Sequence, residues 1–498
     1  MERTKVYIFC ALVLLLFATT VIILFHRNSE RECPNGTFRN AAVAADTKKC
    51  SEIGRDILQR GGSVVDGAIA ALLCTGIMNP QSAGIGGGSM FTVMDSSGNV
   101  TIINSRETAP SNVNPDLLNS CRRSSNMFAD GNGIWIGVPG EIRGYEMAHK
   151  LYGKLPWADL FQPTIKLARE GFPIPPVQGG AIKKIDKTKT PFLWKAFSDK
   201  NGNLLNVTGE IKFEKLADTL EMIANKGSDA FYKGKIAEDL VHDVQEAGGV
   251  LTLLDLALYK ARETDAWVVP MGEYQILILN IMKGSYIDPL FTSLDTQGTN
   301  RRAKKITEDS FANHIRSLIS DNRKHDPKYY NLTPYLDSMG TTHVSVLAED
   351  GSAVAVTSTI NHIFGSGVYS PSTGIILNSE LSDFCGRTDN ISPGEQPPSS
   401  MAPAVLKSDS EILVTGASGG SIITTALASV LTGWSKSPKS NLFPTSKHIM
   451  PLHCHIVLSS VFTVEVFNVV KETQRDVEIS TTTHSFSSNE FNQQDGGA

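Results

Sequence analysis

The chain has no surplus of basic residues and no paired cysteines of the metal-binding kind. Its 46 lysines and arginines stand against 51 aspartates and glutamates, a net charge of −5, whereas a nucleic-acid-binding surface is normally basic. None of its seven cysteines lies in a CxxC pair, which argues against the common zinc and redox motifs. The 498 residues contain no internal repeat and only one long apolar run. We expect a globular protein that binds no nucleic acid and holds no metal or cofactor.

The apolar run occupies residues 6–25 (VYIFCALVLLLFATTVIILF) and carries no charge. Twenty helical residues are long enough to span a hydrocarbon core of about 30 Å. A cleaved signal peptide would have a shorter apolar stretch of about 7–15 residues, so a retained anchor is favoured over a cleaved one. Arg3 and Lys5 before the run and Arg27 and Arg31 after it leave its orientation undecided. The segments expected here are a tail (1–5), a transmembrane anchor (6–25) and a juxtamembrane stretch (26–45).

Two cysteines have an informative spacing. Residues 47–60 and 64–78 have the pattern of two helices, with glycines and Ser63 between them. Cys50 precedes this turn by eleven residues and Cys74 follows Ser63 by eleven, so an antiparallel helical hairpin would bring them to the same level. A disulfide is geometrically reasonable, and two buried free thiols are the alternative.

The clearest local pattern is a β-hairpin over residues 342–361 (THVSVLAEDGSAVAVTSTIN). Valines alternate with small or polar residues on both sides of Asp350-Gly351, a pair typical of a two-residue hairpin loop. That loop would pair Thr342 with Thr359 and bring Thr359 beside Thr341. The bond before Thr341 could be cleaved by the threonine hydroxyl, and the amine released could then serve as its base. A threonine-rich strand end without function is the alternative.

Glycine-rich and polar segments offer further candidates. The run at 84–89 (GIGGGS) leads into a strand and lacks the lysine of a phosphate-binding loop, so nucleotide binding is not expected. The run at 416–421 (GASGGS) precedes a helical pattern, and its amides could hold an oxyanion. Arg106 follows a strand and could form a bidentate pair with a carboxylate ligand. Taken singly, each of these features is better explained by a turn, a cap or a solvated charge.

Taken together, the motifs resemble the gamma-glutamyltransferase (glutathione hydrolase) family. The resemblance runs from about residue 41 to 430, over several long ungapped stretches. They are AAVAADTKKCSEIGRDIL (41–58), NPQSAGIGGG (79–88), INSRETAP (103–110), GIWIGVPGEIRGY (133–145), LPWADLFQPTIKLAREGFP (155–173), GTTHVSVLAEDGSAVAVTSTIN (340–361), SPSTGIILNSELSDF (370–384) and PPSSMAP (397–403). The resemblance implies an α+β chain with the four-layer αββα fold of N-terminal-nucleophile hydrolases, preceded by one transmembrane helix.

The resemblance also implies a role for each candidate residue. Cleavage between Gly340 and Thr341 would give a large fragment (residues 1–340) and a small fragment (residues 341–498), which remain partners. The hydrolase domain would comprise residues 46–340 and 341–430, with a divergent tail at 431–498. Thr341 would be the nucleophile and Thr359 the hydroxyl that tunes it. The other roles implied are the oxyanion hole (Gly419, Gly420), the clamp on the substrate carboxylate (Arg106), the ammonium site (Asn361, Glu380, Asp383) and additional hydrogen bonds (Ser399, Ser400).

The family further implies location and substrates. Its members lie on the outer cell surface with a type II anchor in the plasma membrane, which would settle the orientation. Glutathione, its S-conjugates, acceptor amino acids or dipeptides, and water are the expected partners. Two stretches (VSVLAEDGSAVA and GIILNSEL) resemble a branch associated with leukotriene C4. Sequons fit a glycosylated domain and lie at Asn35, Asn99, Asn206, Asn331 and Asn390.

Three departures from the family pattern open an alternative. Family members carry a Pro/Gly-rich loop after the strand corresponding to 272–274, and here residues 275–277 run on directly. A long helix expected before 301–305 is missing, and beyond about Val430 the expected terminal strands are replaced by unrelated sequence. Such losses could prevent folding or self-cleavage, because total stability is only about 5–15 kcal/mol. The alternative is a non-maturing, catalytically silent membrane glycoprotein of the same family.

Overall fold

The computed structural model describes residues 37–38, 41–121, 130–271, 274–278, 309–318, 329, 340–385, 389–409, 411–420, 423–424, 426–428, 431, 464–472 and 476–481. The predicted anchor at 6–25 and the region around 301–305 lie outside these residues. No helix within the described ranges is both long and apolar enough to cross a membrane.

Most helices belong to the first half of the chain. They are α1 (Lys48–Gln59), α2 (Val64–Met78), α3 (Glu141–Tyr152), α4 (Trp157–Glu170), α5 (Pro176–Ile182), α6 (Pro191–Ala196), α7 (Glu214–Lys226), α8 (Asp229–Tyr232), α9 (Lys235–Glu246), α10 (Leu253–Leu258) and α11 (Asp309–Leu318). Short 3₁₀ turns cover Leu117–Ser120, Gly133–Trp135 and Glu380–Phe384.

The strands form two large antiparallel sheets and one small pair. In chain order they are β1 (Thr37–Phe38), β2 (Ala41–Ala44), β3 (Gly88–Met94), β4 (Val100–Ser105), β5 (Phe172–Pro173), β6 (Glu210–Ile211), β7 (Arg262–Asp265), β8 (Trp267–Met271), β9 (Tyr274–Ile278), β10 (Gly340–Ala348), β11 (Ala353–Asn361), β12 (Ala404–Lys407), β13 (Glu411–Ala417), β14 (Val464–Glu472) and β15 (Asp476–Thr481). One sheet has the order β2-β10-β11-β3-β4-β7, the other β1-β15-β14-β13-β12-β9-β8, and β5 pairs with β6.

The two large sheets face each other through a layer of small and aliphatic side chains, including Leu347, Ala355 and Val414. Helices α1 to α4 cover the outer face of the six-stranded sheet and bury the largest apolar cluster there. Helical residues at 423–424 and 426–428 supply Ile423 and Leu427 to a cluster on the outer face of the other sheet. Strands β3, β10 and β11, which lie between the helices and the second sheet, are therefore buried on both faces. The order helix, sheet, sheet, helix is the one that the resemblance implies.

The helical hairpin forms as predicted. Ser63 and Asp66 make a reciprocal capping box at the start of α2, with hydrogen bonds of 3.1 and 2.8 Å. Cys50 and Cys74 are joined by a disulfide, with Cα atoms 5.3 Å apart. The hairpin therefore carries the disulfide that the spacing allowed.

The β-hairpin predicted over residues 342–361 forms too, but the predicted two-residue loop is wrong. Thr341 pairs with Thr359 and Thr342 with Ser358, one residue away from the predicted register. The loop has three residues, Glu349 to Gly351, because Gly351 has a φ of 82° and its amide donates to the carbonyl of Ala348. A turn followed by a left-handed glycine is the usual three-residue hairpin connection. The extra residue places Thr359 directly opposite Thr341.

The prediction that the terminal strands are missing is also wrong. Strand β14 pairs along the whole length of β13 and also with β15, so residues beyond 431 extend the seven-stranded sheet. Residues 275–277 lie within β9, which pairs with β8 and β12. The sheet is therefore completed by sequence that has no recognisable family pattern.

The glycine-rich run at 84–89 serves close packing. A Cβ on Gly87 would lie 2.0 Å from the carbonyl oxygen of Thr359, and one on Gly86 would lie 2.1 Å from that of Ile376. Real side-chain carbons do not approach oxygen this closely, so only glycine lets this segment lie against β11. The run supports the strand end that carries Thr359.

This packing predicts that Gly87→Ala destabilises the protein by about 3 kcal/mol or more, because both the added carbon and the carbonyl it meets are held by backbone. Gly180→Ala is the matched control, since a Cβ there meets no atom within 4 Å and the residue is helical. We expect the control to change stability by no more than about 1 kcal/mol. Urea unfolding of both variants measures the difference, and equal stabilities would contradict the packing argument.

Candidate functional site

Thr341 and Thr359 form the centre of the site at the start of strand β10. Both are buried, and the Thr341 hydroxyl donates to the Thr359 hydroxyl at 3.4 Å. The Thr359 hydroxyl in turn donates to the carbonyl oxygen of Gly340 and accepts the amide hydrogen of Asn361 at 2.8 Å. One hydroxyl has one proton and two lone pairs, so these three bonds satisfy it completely. The proton of Thr359 is thereby aimed at the carbonyl of the Gly340–Thr341 bond.

A bulge separates the two residues of that bond in the ladder. Gly340 pairs with Asn361 and Thr341 pairs with Thr359, which leaves Ile360 without a partner on β10. Asn361 has a φ of 74°, a left-handed conformation that asparagine tolerates. A Cβ on Gly340 would lie within 2.6 Å of two backbone oxygens. The backbone is thus sharply bent at the bond predicted to be cut.

Arg106 forms a second, fully buried group. Its guanidinium is ion-paired with Glu380 and, at 2.6 Å, with Asp383. It also donates to the carbonyl oxygens of Pro397, at 3.4 Å, and Pro398, at 2.7 Å. These prolines immediately precede the predicted Ser399 and Ser400, and the Ser399 hydroxyl accepts the amide of Met401 at 3.1 Å. The structure therefore brings the predicted carboxylate clamp, two of the ammonium-site residues and the serine pair to one place.

Asn361 joins the two groups. Its backbone amide donates to Thr359, and its side-chain amide donates to Asp383 Oδ1 at 2.8 Å. Its Oδ1 atom and the Oε2 atom of Glu380 are buried and have no hydrogen-bond partner among the described residues. Asn361 Oδ1 and Glu380 Oε2 can therefore each accept a further hydrogen bond. Asn361 is connected to the Thr341 hydroxyl through the hydroxyl of Thr359.

The acidic groups outnumber the basic ones here. Glu107, wholly buried, lies 3.9 Å from the Arg106 guanidinium. Burial, with the charge of Glu380, raises the pKa of Glu107 well above its usual range. Burial raises the pKa of Glu380 to about 8, and the Arg106 charge opposes the rise. Both glutamates therefore tend to hold their protons near neutral pH, and a cationic ligand bound beside them would favour their charged forms.

The glycines predicted to form the oxyanion hole, Gly419 and Gly420, follow strand β13. This strand runs toward the end of β10 that carries Thr341. Ile412 lies near Gly351 at the hairpin loop, Val414 packs with Leu347, and Gly416 lies against the His343 ring. Each step along β13 therefore moves back along β10 toward Thr341. Continuing the same course leads to Gly419 and Gly420, which both have positive φ, 114° and 64°. The order of contacts agrees with the predicted role, which stays a prediction.

His343 is a buried residue that sequence reasoning missed. Its ring nitrogens bond the hydroxyls of Thr357, at 2.8 Å, and Ser345, at 2.9 Å. Burial lowers the pKa of His343 to about 3, so the ring is neutral at physiological pH. The His343 ring occupies the space between the two sheets that a side chain at position 416 would otherwise fill. Gly416 suggested that another group packs closely against β13, but nothing in the sequence identified that group as His343.

Two buried glutamates were also missed as parts of the site, although both lie inside matched motifs. Glu107 directly follows Arg106, and Glu141 begins α3 in the 133–145 stretch. Burial raises the pKa of Glu141 to about 7, with Tyr145, Ser358 and Ser89 around it. A glutamate's position within a matched motif does not show whether its side chain is buried or exposed to solvent.

The sequons that the structure describes are accessible. Asn99, Asn206 and Asn390 are exposed, and their glycosylation stays a prediction. Asn35 and Asn331 lie outside the described residues.

His343 makes the stability of the fold depend on pH. The unfolded chain takes up a proton on this histidine near pH 6.5, but the folded chain does so only near pH 3. Because the unfolded state binds more protons between these values, acidification from pH 7.5 to pH 5 should cost about 2 kcal/mol through this group. Urea unfolding of wild type and His343→Gln at both pH values isolates the effect, since the buried glutamates are common to both. Equal pH dependence in the two proteins would contradict a buried neutral ring.

Known proteins resemble this chain over most of its length. The family model described as gamma-glutamyltranspeptidase matches residues 50–287 and 277–441. The glutathione hydrolase 5 proenzyme of Rattus norvegicus is 38% identical over 491 residues, covering 86% of this chain and 84% of that protein. Glutathione hydrolase 3 of Arabidopsis thaliana is 37% identical over 452 residues, covering 78% of this chain and 69% of that protein.

A solved structure shares the fold. The cephalosporin acylase of Bacillus halodurans superposes with a TM-score of 0.71 and 20% sequence identity. The superposition covers 92% of this chain and 98% of the acylase. The mixed α/β architecture, with its two facing sheets, is therefore an established one.

Proposed function

Because this chain belongs to the gamma-glutamyltranspeptidase family, we propose that it cuts itself between Gly340 and Thr341 and then uses Thr341 to transfer gamma-glutamyl groups. By class it is a gamma-glutamyltransferase, or glutathione hydrolase. The observation that carries the proposal is the Thr359 hydroxyl, which lies between the Thr341 hydroxyl and the Gly340 carbonyl. That arrangement holds a nucleophile beside the electrophile and polarises the carbonyl it attacks.

Self-cleavage would proceed through an ester. The Thr341 oxygen attacks the Gly340 carbonyl carbon, the peptide C–N bond breaks, and the nitrogen takes up the proton lost by the hydroxyl and leaves as the amine of Thr341. Water then hydrolyses the Gly340 ester, which frees the hydroxyl and a new carboxyl terminus. The amine, now next to the hydroxyl, can accept its proton when a gamma-glutamyl amide is attacked. Water or an acceptor amine resolves the acyl-threonine.

The proposal predicts which residues permit the cut. Wild-type chain should yield a small fragment beginning Thr341-Thr342-His343, and Thr341→Ala should yield none. Thr359→Val, which removes the donor to the Gly340 carbonyl, should slow cleavage by about 100-fold, as loss of an oxyanion donor does. Thr359→Ser keeps the hydroxyl and serves as the matched control.

Denaturing gels with amino-terminal sequencing of the fragments measure these outcomes. A wild-type chain that stays uncut would instead favour the non-maturing glycoprotein. Cleavage that proceeds equally in Thr359→Val would remove Thr359 from the mechanism.

Recognition of the gamma-glutamyl group rests on the Arg106 group. The α-carboxylate of the gamma-glutamyl group would bind the Arg106 guanidinium. Its α-ammonium would bind Asp383, Glu380 and the Oδ1 atom of Asn361. The unpartnered acceptor oxygens of Asn361 and Glu380, with the Asp383 carboxylate beside them, support an ammonium ligand at this position. Binding must then replace part of the present Arg106 ion pairing with contacts to the substrate carboxylate.

A pair of substrates tests the ammonium contact. Asp383→Asn should raise the KM for gamma-glutamyl-4-nitroanilide by about tenfold or more, because a charged hydrogen bond is lost. Glutaryl-4-nitroanilide, which lacks the ammonium, should be hydrolysed poorly by both proteins, with little further loss in the variant. Equal losses on the two substrates would show that Asp383 does not contact the ammonium.

We assign the surroundings of the site on the same basis. An anchor at residues 6–25 would hold the enzyme in the plasma membrane as a type II protein with the site outside the cell. Similarity to the glutathione hydrolase 5 proenzymes supports glutathione and its S-conjugates, including leukotriene C4, as substrates. Protease protection of the intact cell-surface protein tests the orientation, and product analysis with each donor tests the substrate choice.

A further inference from the structure

A second disulfide, between Cys121 and Cys385, lies on either side of the predicted cut. Cys121 belongs to the large fragment and Cys385 to the small one, 264 positions apart, with Cα atoms 5.7 Å apart. The Cys50–Cys74 bond, by contrast, lies wholly within the large fragment. All four cysteines of the described ranges are thus paired, but only one pair joins the two fragments.

Both cysteines end a short helical turn. Cys121 follows the turn Leu117–Ser120, and Cys385 follows the turn Glu380–Phe384. The two turns share one apolar cluster, to which Leu117 contributes from one side and Leu381 and Phe384 from the other. Two backbone hydrogen bonds of 2.8 Å join the chain at Ala109 to the chain at 394–395. The amide of Ala109 donates to the carbonyl of Glu395, and the amide of Gly394 donates to the carbonyl of Ala109. The disulfide therefore completes a contact that the chain already builds by packing.

The same turn carries the carboxylates of the site. Asp383 lies two residues before Cys385 and Glu380 five residues before it, and both pair with Arg106 from the large fragment. Asn361 donates a hydrogen bond to Asp383 within the turn, and the disulfide sulfur of Cys385 directly follows the turn's last residue.

We propose that the Cys121–Cys385 disulfide links the two fragments covalently after self-cleavage and acts as a positioning bond for Glu380 and Asp383. The proposal rests on the proposed function, because only a cut at Thr341 makes the bond an inter-fragment one. The bond touches no substrate atom. It acts by restricting the turn that presents two carboxylates, and a small displacement of such groups weakens binding strongly.

A denaturing gel tests the link. Mature wild-type protein should run as one band without reductant and as two with it, whereas the double variant Cys121→Ser/Cys385→Ser should run as two bands in both. Wild-type fragments that separate without reductant would overturn the link and leave the proposed self-cleavage intact. A chain that stays uncut would overturn self-cleavage, and non-reducing peptide mapping of the same sample then decides the pairing. A joined Cys121–Cys385 peptide supports it, and either cysteine found free or bound to Cys33 or Cys454 overturns it.

Kinetics test the positioning role. In the double serine variant, KM for gamma-glutamyl-4-nitroanilide should rise about tenfold while kcat, per cleaved molecule, stays within about twofold, because binding and not chemistry is disturbed. Should the variant fold poorly, brief reduction of wild type replaces it, since both sulfurs of the pair belong to half-buried residues and Cys50–Cys74 is fully buried. A lower kcat with unchanged KM would overturn the positioning role.

Discussion

The pairing of Thr341 with Thr359 is the contact on which the site depends. It is set ten residues away, by a loop of three residues where Gly351 takes a left-handed conformation. A shift of one residue along a strand turns every side chain to the other face. With a two-residue loop, Thr342 would oppose Thr359, and the three bonds of the Thr359 hydroxyl could not form around Gly340. The reactive geometry is therefore a consequence of turn length.

The second constraint is electrostatic. Arg106 is 1% exposed and lies against three acidic side chains, two of which, Glu107 and Glu380, have pKa values raised by burial. Burying charges costs free energy unless each is paired, so this arrangement is not a source of stability. It is explained by a ligand that carries both signs, one for the guanidinium and the other for the carboxylates. A gamma-glutamyl group, with its α-carboxylate and α-ammonium, has that distribution.

Local elements could be predicted from the sequence, and contacts between distant segments could not. The helix limits, the capping box at Ser63 and the hairpin at 340–361 depend on neighbours within a few residues, which periodicity and turn residues report. The pairing of Arg106 with Glu380 joins residues 274 positions apart, and only the family resemblance placed them together. Cys121 and Cys385 gave no such signal. Strands β14 and β15 escaped prediction because their sequence departs from the family while still pairing by backbone bonds.

The topology explains why a cut chain can remain assembled. In the order β2-β10-β11-β3, the hairpin of the small fragment lies between two strands of the large one. Cleavage before Thr341 detaches only the Gly340 end of β10 and leaves the pairs from Thr341 onward in place. Native assembly therefore does not require a covalent link. The turn Glu380–Phe384 lies outside both sheets, however, and side-chain contacts, backbone hydrogen bonds and the Cys121–Cys385 bond hold it. A disulfide placed there restrains the part of the small fragment that the ladders do not reach.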